Sequence, residues 1–439
     1  MTQRVGRIDT PPVPNNRTLL ANDGQRCHNG EPIAVEDGMI PESRRAQIRT
    51  QGRPATLWDG EPILGSVHGE EEIAAVVEEM RAAMEPTRGF GSRSPAVAAF
   101  ESAFAAYVGT QHAVAVNSAG PGLDMAMRYL RLQPGDEVIV PALNFVAAPM
   151  AVMGAGGQVV WGEVDPRTLQ LDPADVERRL TPRTVAIFPV HMNGLSAPMD
   201  DLLELARAHP HADRGPLAVV GDAARACGGG YRGQKIGAKG LMTVFSLHTM
   251  KNISTLGEGG MVTTDDDAVA AFCRATRFYG FGHEPDLWGT SNVMTSVQAA
   301  AGLVQLTKLD AFVAARRRLA AQRTEMLGGL PEITLPHEPD GSWHSYYLYT
   351  CLVAEEWAGA KRDQLLALLR DEYQVRCVIA NRPVYVDREV MRAHTPGQRL
   401  PLSEQLGERL FCPPIHPAMT DEDNEFICAA IIDGVERLR

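Results

Sequence analysis

Between residues 112 and 222 the chain alternates short, almost wholly apolar runs with amphipathic ones, and few folds accept that pattern. HAVAV, EVIVP, QVVWGEV, TVAIFPV and LAVVGD read as strands. GLDMAMRYLRL, VAAPMAVMGAG, PADVERRL and MDDLLELARAH, which separate them, repeat apolar residues at three- and four-residue spacing and read as helices. Strands this apolar are buried on both faces, so the expected fold is α/β, with a large, mostly parallel sheet covered by helices on both sides. After Asp222 the period shortens. YRGQKIG, LMTVFSLH and GGMVTTDD read as strands joined by tight turns, and a long helix is expected from about Thr295 to Ala320.

The flanks divide the chain further. Residues 1–75 are rich in Pro, Gly, Asn and Arg without periodicity, which predicts an extended arm with short turns. Helices in HGEEEIAAVVEEMRAAME and PAVAAFESAFAAYVG open a large domain, 76–320. A smaller C-terminal α/β domain, 321–439, is expected from strand SYYLYTCLV, helix KRDQLLALLRDEY, strand QVRCVIA and a last helix from Asp421, where Thr420 and three acidic residues suit a helix start.

Composition excludes several roles. The formal charge is −12 and no run of five or six basic residues occurs, so no nucleic-acid surface is expected. The first residues lack an apolar signal core and no uncharged apolar run reaches bilayer length, which points away from a membrane and toward the cytoplasm. The seven cysteines are dispersed and form no CxxC, which argues against a disulfide framework or a structural zinc site, and no metal is expected. Of the 42 basic residues only five are lysines: Lys235, Lys239, Lys251, Lys308 and Lys361. Arginine stays protonated, so amine chemistry has five candidates.

Three constellations carry chemistry. Small residues Asn117, Ser118, Ala119, Gly120, Pro121 and Gly122 between HAVAV and a helix let backbone N–H groups approach an anion, although an ordinary strand-to-helix turn reads the same way. Asp222 ends LAVVGD, a position that delivers a carboxylate to the sheet's carboxyl edge or simply caps a turn. Lys251 follows a buried strand among apolar, small and hydroxyl residues, whereas the other four lysines sit in polar surroundings; a nucleophilic lysine needs such desolvation. The three belong together if the ligand is an aromatic phosphate with an aldehyde and a protonatable ring nitrogen. The helix N-terminus and Ser246 then hold the phosphate, Asp222 pairs with the ring nitrogen and Lys251 makes the Schiff base, which describes pyridoxal 5′-phosphate (PLP).

GDEVIVPALNFVAAPMAV, DPRTLQLDPADVERRLTPRTVAIFPVHMNG, VVGDAARACGGGYRG and FSLHTMKNISTLGEGGMVTTDD resemble successive motifs of the DegT/DnrJ/EryC1/StrS aminotransferases, sugar and cyclitol aminotransferases of PLP fold type I. The resemblance runs from about residue 76 to the C-terminus and leaves the arm out. It implies a seven-stranded large domain, a small C-terminal domain and a homodimer with shared active sites. It also implies a small-molecule donor, glutamate or glutamine, and a keto-sugar, cyclitol or related ketone as acceptor. By the same resemblance Lys251 forms the Schiff base and shuttles the proton, and Asp222 bonds the pyridine nitrogen. Phe145 stacks on the ring, and Ser246 with the Ser118-Ala119-Gly120 turn holds the phosphate. His191 matches a histidine near the substrate, although on its own it reads as a satisfied core residue, and Phe145 on its own reads as a core aromatic.

Three positions depart from the family pattern. Arg225 stands where Gln or His usually contacts the cofactor's phenolic oxygen, Gly120 replaces a threonine, and Ser291 holds the place of an asparagine that reaches the partner subunit's phosphate, with Asn292 beside it. Two rival readings accompany the aminotransferase. A PLP-dependent sugar dehydratase or oxidase of the same family is left room by Arg225, although a retained Lys251 counts against a dehydratase. A non-catalytic regulatory paralogue is opposed by the intact Asp222, Ser246 and Lys251.

Overall fold

A computed structural model describes residues 39–52, 56–91, 94–283 and 287–439; the first 38 residues of the expected arm, with Cys27, lie outside the described residues. Helices α1 (Glu42–Gln51), α2 (Glu70–Ala83) and α3 (Pro95–Val108) come first. Helix α3 starts where Ser94 accepts the Val97 N–H and Pro95 takes the first turn, and it ends on Gly109 at φ 87°. The alternating region follows as β1 (His112–Val116), α4 (Ala119–Tyr129), β2 (Glu137–Pro141), α5 (Ala147–Gly154), β3 (Gln158–Gly162), α6 (Pro173–Arg179), β4 (Thr184–Ile187), α7 (Met199–Ala208) and β5 (Ala218–Asp222). A hairpin of β6 (Gly230–Tyr231) and β7 (Gln234–Lys235) leads to β8 (Met242–Ser246), β9 (Gly260–Thr264), α8 (Asp267–Thr276) and the long α9 (Ser296–Leu327).

Seven strands form the main sheet in the order β1-β9-β8-β5-β4-β2-β3. Strand β9 is antiparallel to both β1 and β8, and the other neighbours pair in parallel. Alternate side chains leave the sheet on opposite faces, and both faces are dry. Val114, Val116, Val138, Val220 and Val244 pack into one layer, while Ala113, Ala115, Phe245 and Met261 pack into another against α3 and α9. Each such valine or phenylalanine contributes roughly 1.5–3 kcal/mol, which is why these strands tolerate no charge in their interior.

The C-terminal portion contains β10 (Ile333–Thr334), β11 (Ser342–Trp343), β12 (Cys351–Val353), α10 (Ala360–Tyr373), three short helices α11 (Val384–Asp387), α12 (Glu389–His394) and α13 (Pro401–Arg409), β13 (Leu410–Phe411) and α14 (Asp421–Leu438). A three-stranded sheet runs β10-β12-β13, and a second, β11-β6-β7, ties residues 342–343 to the hairpin. Position 320, the boundary expected from sequence, falls inside α9.

Several elements differ from expectation. The strand expected over 345–353 is a strand only at Cys351–Val353, because Tyr346 turns into the left-handed region at φ 46°. QVRCVIA forms isolated bridges, Asp59 with Arg376 and Val378 with Cys412, instead of a strand. The arm is not all turns. Helix α1 lies on α14, to which Arg44 and Arg45 bind through Glu425 and Glu436, and Arg49 pairs with Asp433. Helix α8 was not anticipated; Asp266 caps it by accepting the Ala268 and Val269 N–H groups.

Candidate active site

The antiparallel insertion of β9 sets the carboxyl ends of β1, β8 and β5 within three strand spacings, about 14 Å. Ser118 follows β1, Asp222 ends β5 and Ser246 ends β8, and all three line a cavity of about 430 Å³. Ala119, Gly120, Phe145, Arg225 and Lys251 line it too.

Helix α4 begins at Ala119, three residues earlier than the sequence pattern indicates, and Ser118 makes no side-chain cap bond to it. The first-turn N–H groups therefore lack the usual hydroxyl partner and face the cavity, an arrangement suited to a phosphate. Close approach of β9 shapes this cradle: a Cβ at Gly260 would stand 2.6 Å from the Ser118 carbonyl carbon. Gly120 opens on free space, with only the Ser118 hydroxyl near a would-be Cβ, so the missing threonine leaves room and not a gap in the backbone.

Asp222 is 3% exposed and accepts the Ala224 N–H at 2.9 Å. Burial pushes its carboxyl upward, against the Ala224 bond and the Lys251 and Arg225 charges. A buried acid so placed has room for a further cation, and a protonated ring nitrogen would supply one. Lys251 is also enclosed. Burial, followed by the Arg225 charge, lowers its amine to about 8, while Glu61, Asp222 and Glu258 act in the opposite sense. Its Nζ donates to the Tyr347 hydroxyl at 3.2 Å. Phe145 is 56% exposed and lines the cavity, so it is not a core aromatic. Arg225 donates to Asn193 Oδ1 at 3.1 Å.

Two expected residues are placed elsewhere. His191 is 1% exposed and packs behind β5, where its Nδ1 accepts the Ala197 N–H at 3.1 Å. Among the described residues its Nε2 finds no partner, and burial lowers its pKa to about 3, so it is a neutral core histidine. His191 thus lies off the cavity, and Val190 and Met192, its neighbours, reach it. Asn292 does not line the cavity of its own chain, but its carbonyl accepts the Asn117 N–H at 3.0 Å and braces the turn between β1 and α4.

Sequence reasoning missed Glu61, Asn193, Tyr347 and Asn381. Glu61 comes from the arm: it accepts the Tyr347 hydroxyl and lies 3.7 Å from Arg225. Burial works to raise its carboxyl, yet Arg225, Tyr347 and Lys251 outweigh this and hold it below the usual range. Nothing periodic marks the residue; the one available signal is a lone acid, Glu61, in a short segment bounded by Gly60 and Gly65.

A helix N-terminus for an anion, a buried acid, a depressed lysine and an open aromatic, arranged at the carboxyl edge of this sheet, fit PLP and define a fold-type I enzyme dependent on it. The DegT/DnrJ/EryC1/StrS aminotransferase family profile matches residues 69–432, and the chain belongs to that family. It is 33% identical over 383 residues to the spore coat polysaccharide biosynthesis protein SpsC of Bacillus subtilis (strain 168), covering 84% of this chain and 95% of that protein. It is 38% identical over 339 residues to the GDP-perosamine synthase of Caulobacter vibrioides, covering 76% of this chain and 88% of that one. DesV of S. venezuelae matches in structure with a TM-score of 0.75 at 33% identity, over 84% of this chain and 94% of DesV. The chain is a PLP-dependent aminotransferase.

Proposed function

We propose that this enzyme moves an amino group from glutamate or glutamine to a keto-sugar, cyclitol or related cyclic ketone in surface-sugar or secondary-metabolite biosynthesis. The observation that carries the reading is Lys251: a buried amine, depressed to about 8, in the same cavity as Asp222 and the open end of α4. The relatives that share the chain's length act in polysaccharide and sugar-nucleotide synthesis by name, which supports a sugar acceptor.

In this reading the α4 N–H groups, Ser118 and Ser246 would hold the phosphate, and Phe145 would pack on the ring. Asp222 would keep the ring nitrogen protonated, and Arg225 would serve the phenolic oxygen. PLP, when bound, supplies the electron sink that makes loss of a proton from the donor's α-carbon possible. Lys251 would hold the cofactor through its aldehyde, and its amine, buried in the same cavity, is the group placed to accept and return a proton there. Burial favours both tasks because a desolvated amine stays partly neutral near pH 8.

The working unit is a homodimer with shared sites. Supporting this, Ile73, Val77 and Met80 leave an apolar stripe of α2 exposed, and Asn292 is positioned beside the β1–α4 turn and not inside its own cavity. The free thiols Cys227, Cys273, Cys351, Cys377, Cys412 and Cys428 fit a reducing cytoplasm. Among the described residues no helix is long and apolar enough to cross a membrane.

An absorbance spectrum tests the proposal. The protein should show a visible band that borohydride fixes to Lys251 and that glutamate converts to the amine form, after which keto-sugar nucleotides restore it. A band unchanged by every amino donor, with keto-sugar still consumed, would replace transamination by the dehydratase or oxidase reading. A colourless protein that takes up no PLP would leave a regulatory paralogue.

A further inference from the structure

Glu61 lies outside residues 69–432, the stretch shared with the family, and yet it enters the cavity. Its seat is closely fitted on both sides. A Cβ at Gly60 would stand 2.5 Å from the Val378 nitrogen and 2.9 Å from the Cys412 carbonyl oxygen. A Cβ at Gly65 would stand 2.5 Å from the Met250 carbonyl carbon and 2.6 Å from the Lys251 carbonyl oxygen. The Gly65 N–H donates to the Thr249 carbonyl at 2.9 Å, and buried Arg316 donates to the Gly65 carbonyl at 2.6 Å. Between these backbone walls the Glu61 carboxylate accepts the Tyr347 hydroxyl, whose oxygen accepts Lys251 Nζ at 3.2 Å, and it faces Arg225 at 3.7 Å.

Resting on the reading of Lys251 as the cofactor lysine, we propose that Glu61 is a positioning residue: it is the counter-ion of Arg225 and, through the Tyr347 hydroxyl, it orients the Lys251 amine and holds its proton. The groups facing that amine are Arg225 from the turn after β5, Asp222 from β5 itself, Glu258 from the loop before β9, Tyr347 from the 345–350 segment and Glu61 from the arm. Burial and then Arg225 drive the proton off, and the three carboxylates retain it. Glu61 is the only one of the three that also touches Arg225 and Tyr347 together. It therefore offsets the charge that an arginine at position 225 brings to the site.

The experiment uses full-length apoenzyme and PLP itself as the probe. The rate of PLP capture, followed by absorbance, is measured from pH 6 to 10, with borohydride and peptide mapping to locate the bond. Capture by wild type should rise through an inflection near the Lys251 value of about 8. Glu61→Gln keeps the shape and loses the charge, so the inflection should fall by about one unit, and capture at pH 7 should be about five-fold faster. Glu61→Asp should keep the inflection on the wild-type side. Arg225→Gln should raise it, and the Glu61→Gln/Arg225→Gln double variant should fall between the single ones. Tyr347→Phe, which removes the bridging oxygen, should lower it too and decides the matter if Glu61→Gln does not fold. An inflection that stays put or rises in Glu61→Gln overturns the proposal, as does a slowing that is uniform across pH, which is what a purely structural Glu61 would give. Failure of wild type to capture PLP at Lys251 overturns the underlying reading as well; capture there with an unmoved Glu61→Gln profile overturns only this one.

Discussion

Gly65→Ala should uncouple the arm from the lysine loop. An added Cβ would meet the Met250 carbonyl carbon at 2.5 Å and the Lys251 carbonyl oxygen at 2.6 Å, and both are backbone atoms that cannot swing aside. Relief needs a shift of about 1 Å to regain ordinary carbon contacts. A move of that size lengthens the Gly65 to Thr249 bond, now 2.9 Å, and the Arg316 to Gly65 bond, now 2.6 Å, past useful range. One neutral bond and one from a buried cation are then lost or weakened, about 3–5 kcal/mol together once the desolvated guanidinium is counted. At roughly 2 °C per kcal/mol for a large chain, Tm should drop by about 6–10 °C. Differential scanning calorimetry of the apo-protein measures this, with Gly154→Ala as the control. Gly154 meets nothing within 4 Å, so that substitution should be neutral or slightly stabilising. Equal Tm values for Gly65→Ala and wild type would refute the tight seating of the arm.

Lys251→Ala should fold and melt like wild type yet show no turnover and no borohydride-fixed cofactor at position 251, checked by a coupled assay and mass spectrometry. Asp222→Asn keeps the shape but loses the charge at the ring nitrogen, and kcat should fall by about 10²–10⁴ with PLP still bound, as read by single-turnover absorbance. Gly260→Ala would place a Cβ 2.6 Å from the Ser118 carbonyl carbon and should weaken PLP binding about ten-fold or more, measured by titrating apoenzyme. Because the free amine is the reactive form, capture of PLP should be half-developed near pH 8, nearly complete about one unit above it, and fall toward ten-fold per unit below it. A profile flat from pH 6 to 8 would contradict the buried amine.

The parts that sequence disclosed are those in which periodicity and chemistry coincide. Strands from HAVAV to LAVVGD are apolar because both sheet faces are covered, and Asp222, Ser246 and Lys251 stand out as polar residues where such runs end. The parts it concealed depend on contacts between distant segments. Helix α1 makes no side-chain cap bond and is tied to α14 by ion pairs across more than 380 residues, which no local pattern encodes. Glu61 reaches the cavity because two glycines let the arm lie flush on backbone, and a glycine in a loop gives no hint of what it touches. His191 matched a motif, but its burial follows from the absence of a side chain at Gly221, whose Cβ would approach Nε2 to 3.0 Å.

The segment read as one strand from Ser345 shows why the polar ring around Lys251 is costly to build. Tyr346 holds φ 46° and Asn193, the acceptor for Arg225, holds φ 56°, positions where a side chain costs about 1 kcal/mol or more. Asparagine tolerates this region; tyrosine does so only when its surroundings impose it. Here the imposition is visible. The Tyr346 ring stacks on His344 at 4.0 Å and 3°, its N–H donates to His344 Nδ1 at 2.9 Å, and its neighbours' N–H groups are taken by Gly194, for Ser345, and by Asn193, for Leu348. A regular strand would alternate Tyr346 and Tyr347 on opposite faces and continue the edge of β12. The left-handed residue breaks that alternation and delivers the Tyr347 hydroxyl to Lys251 and Glu61, so the departure from strand geometry and the placement of the active-site hydroxyl are the same structural event.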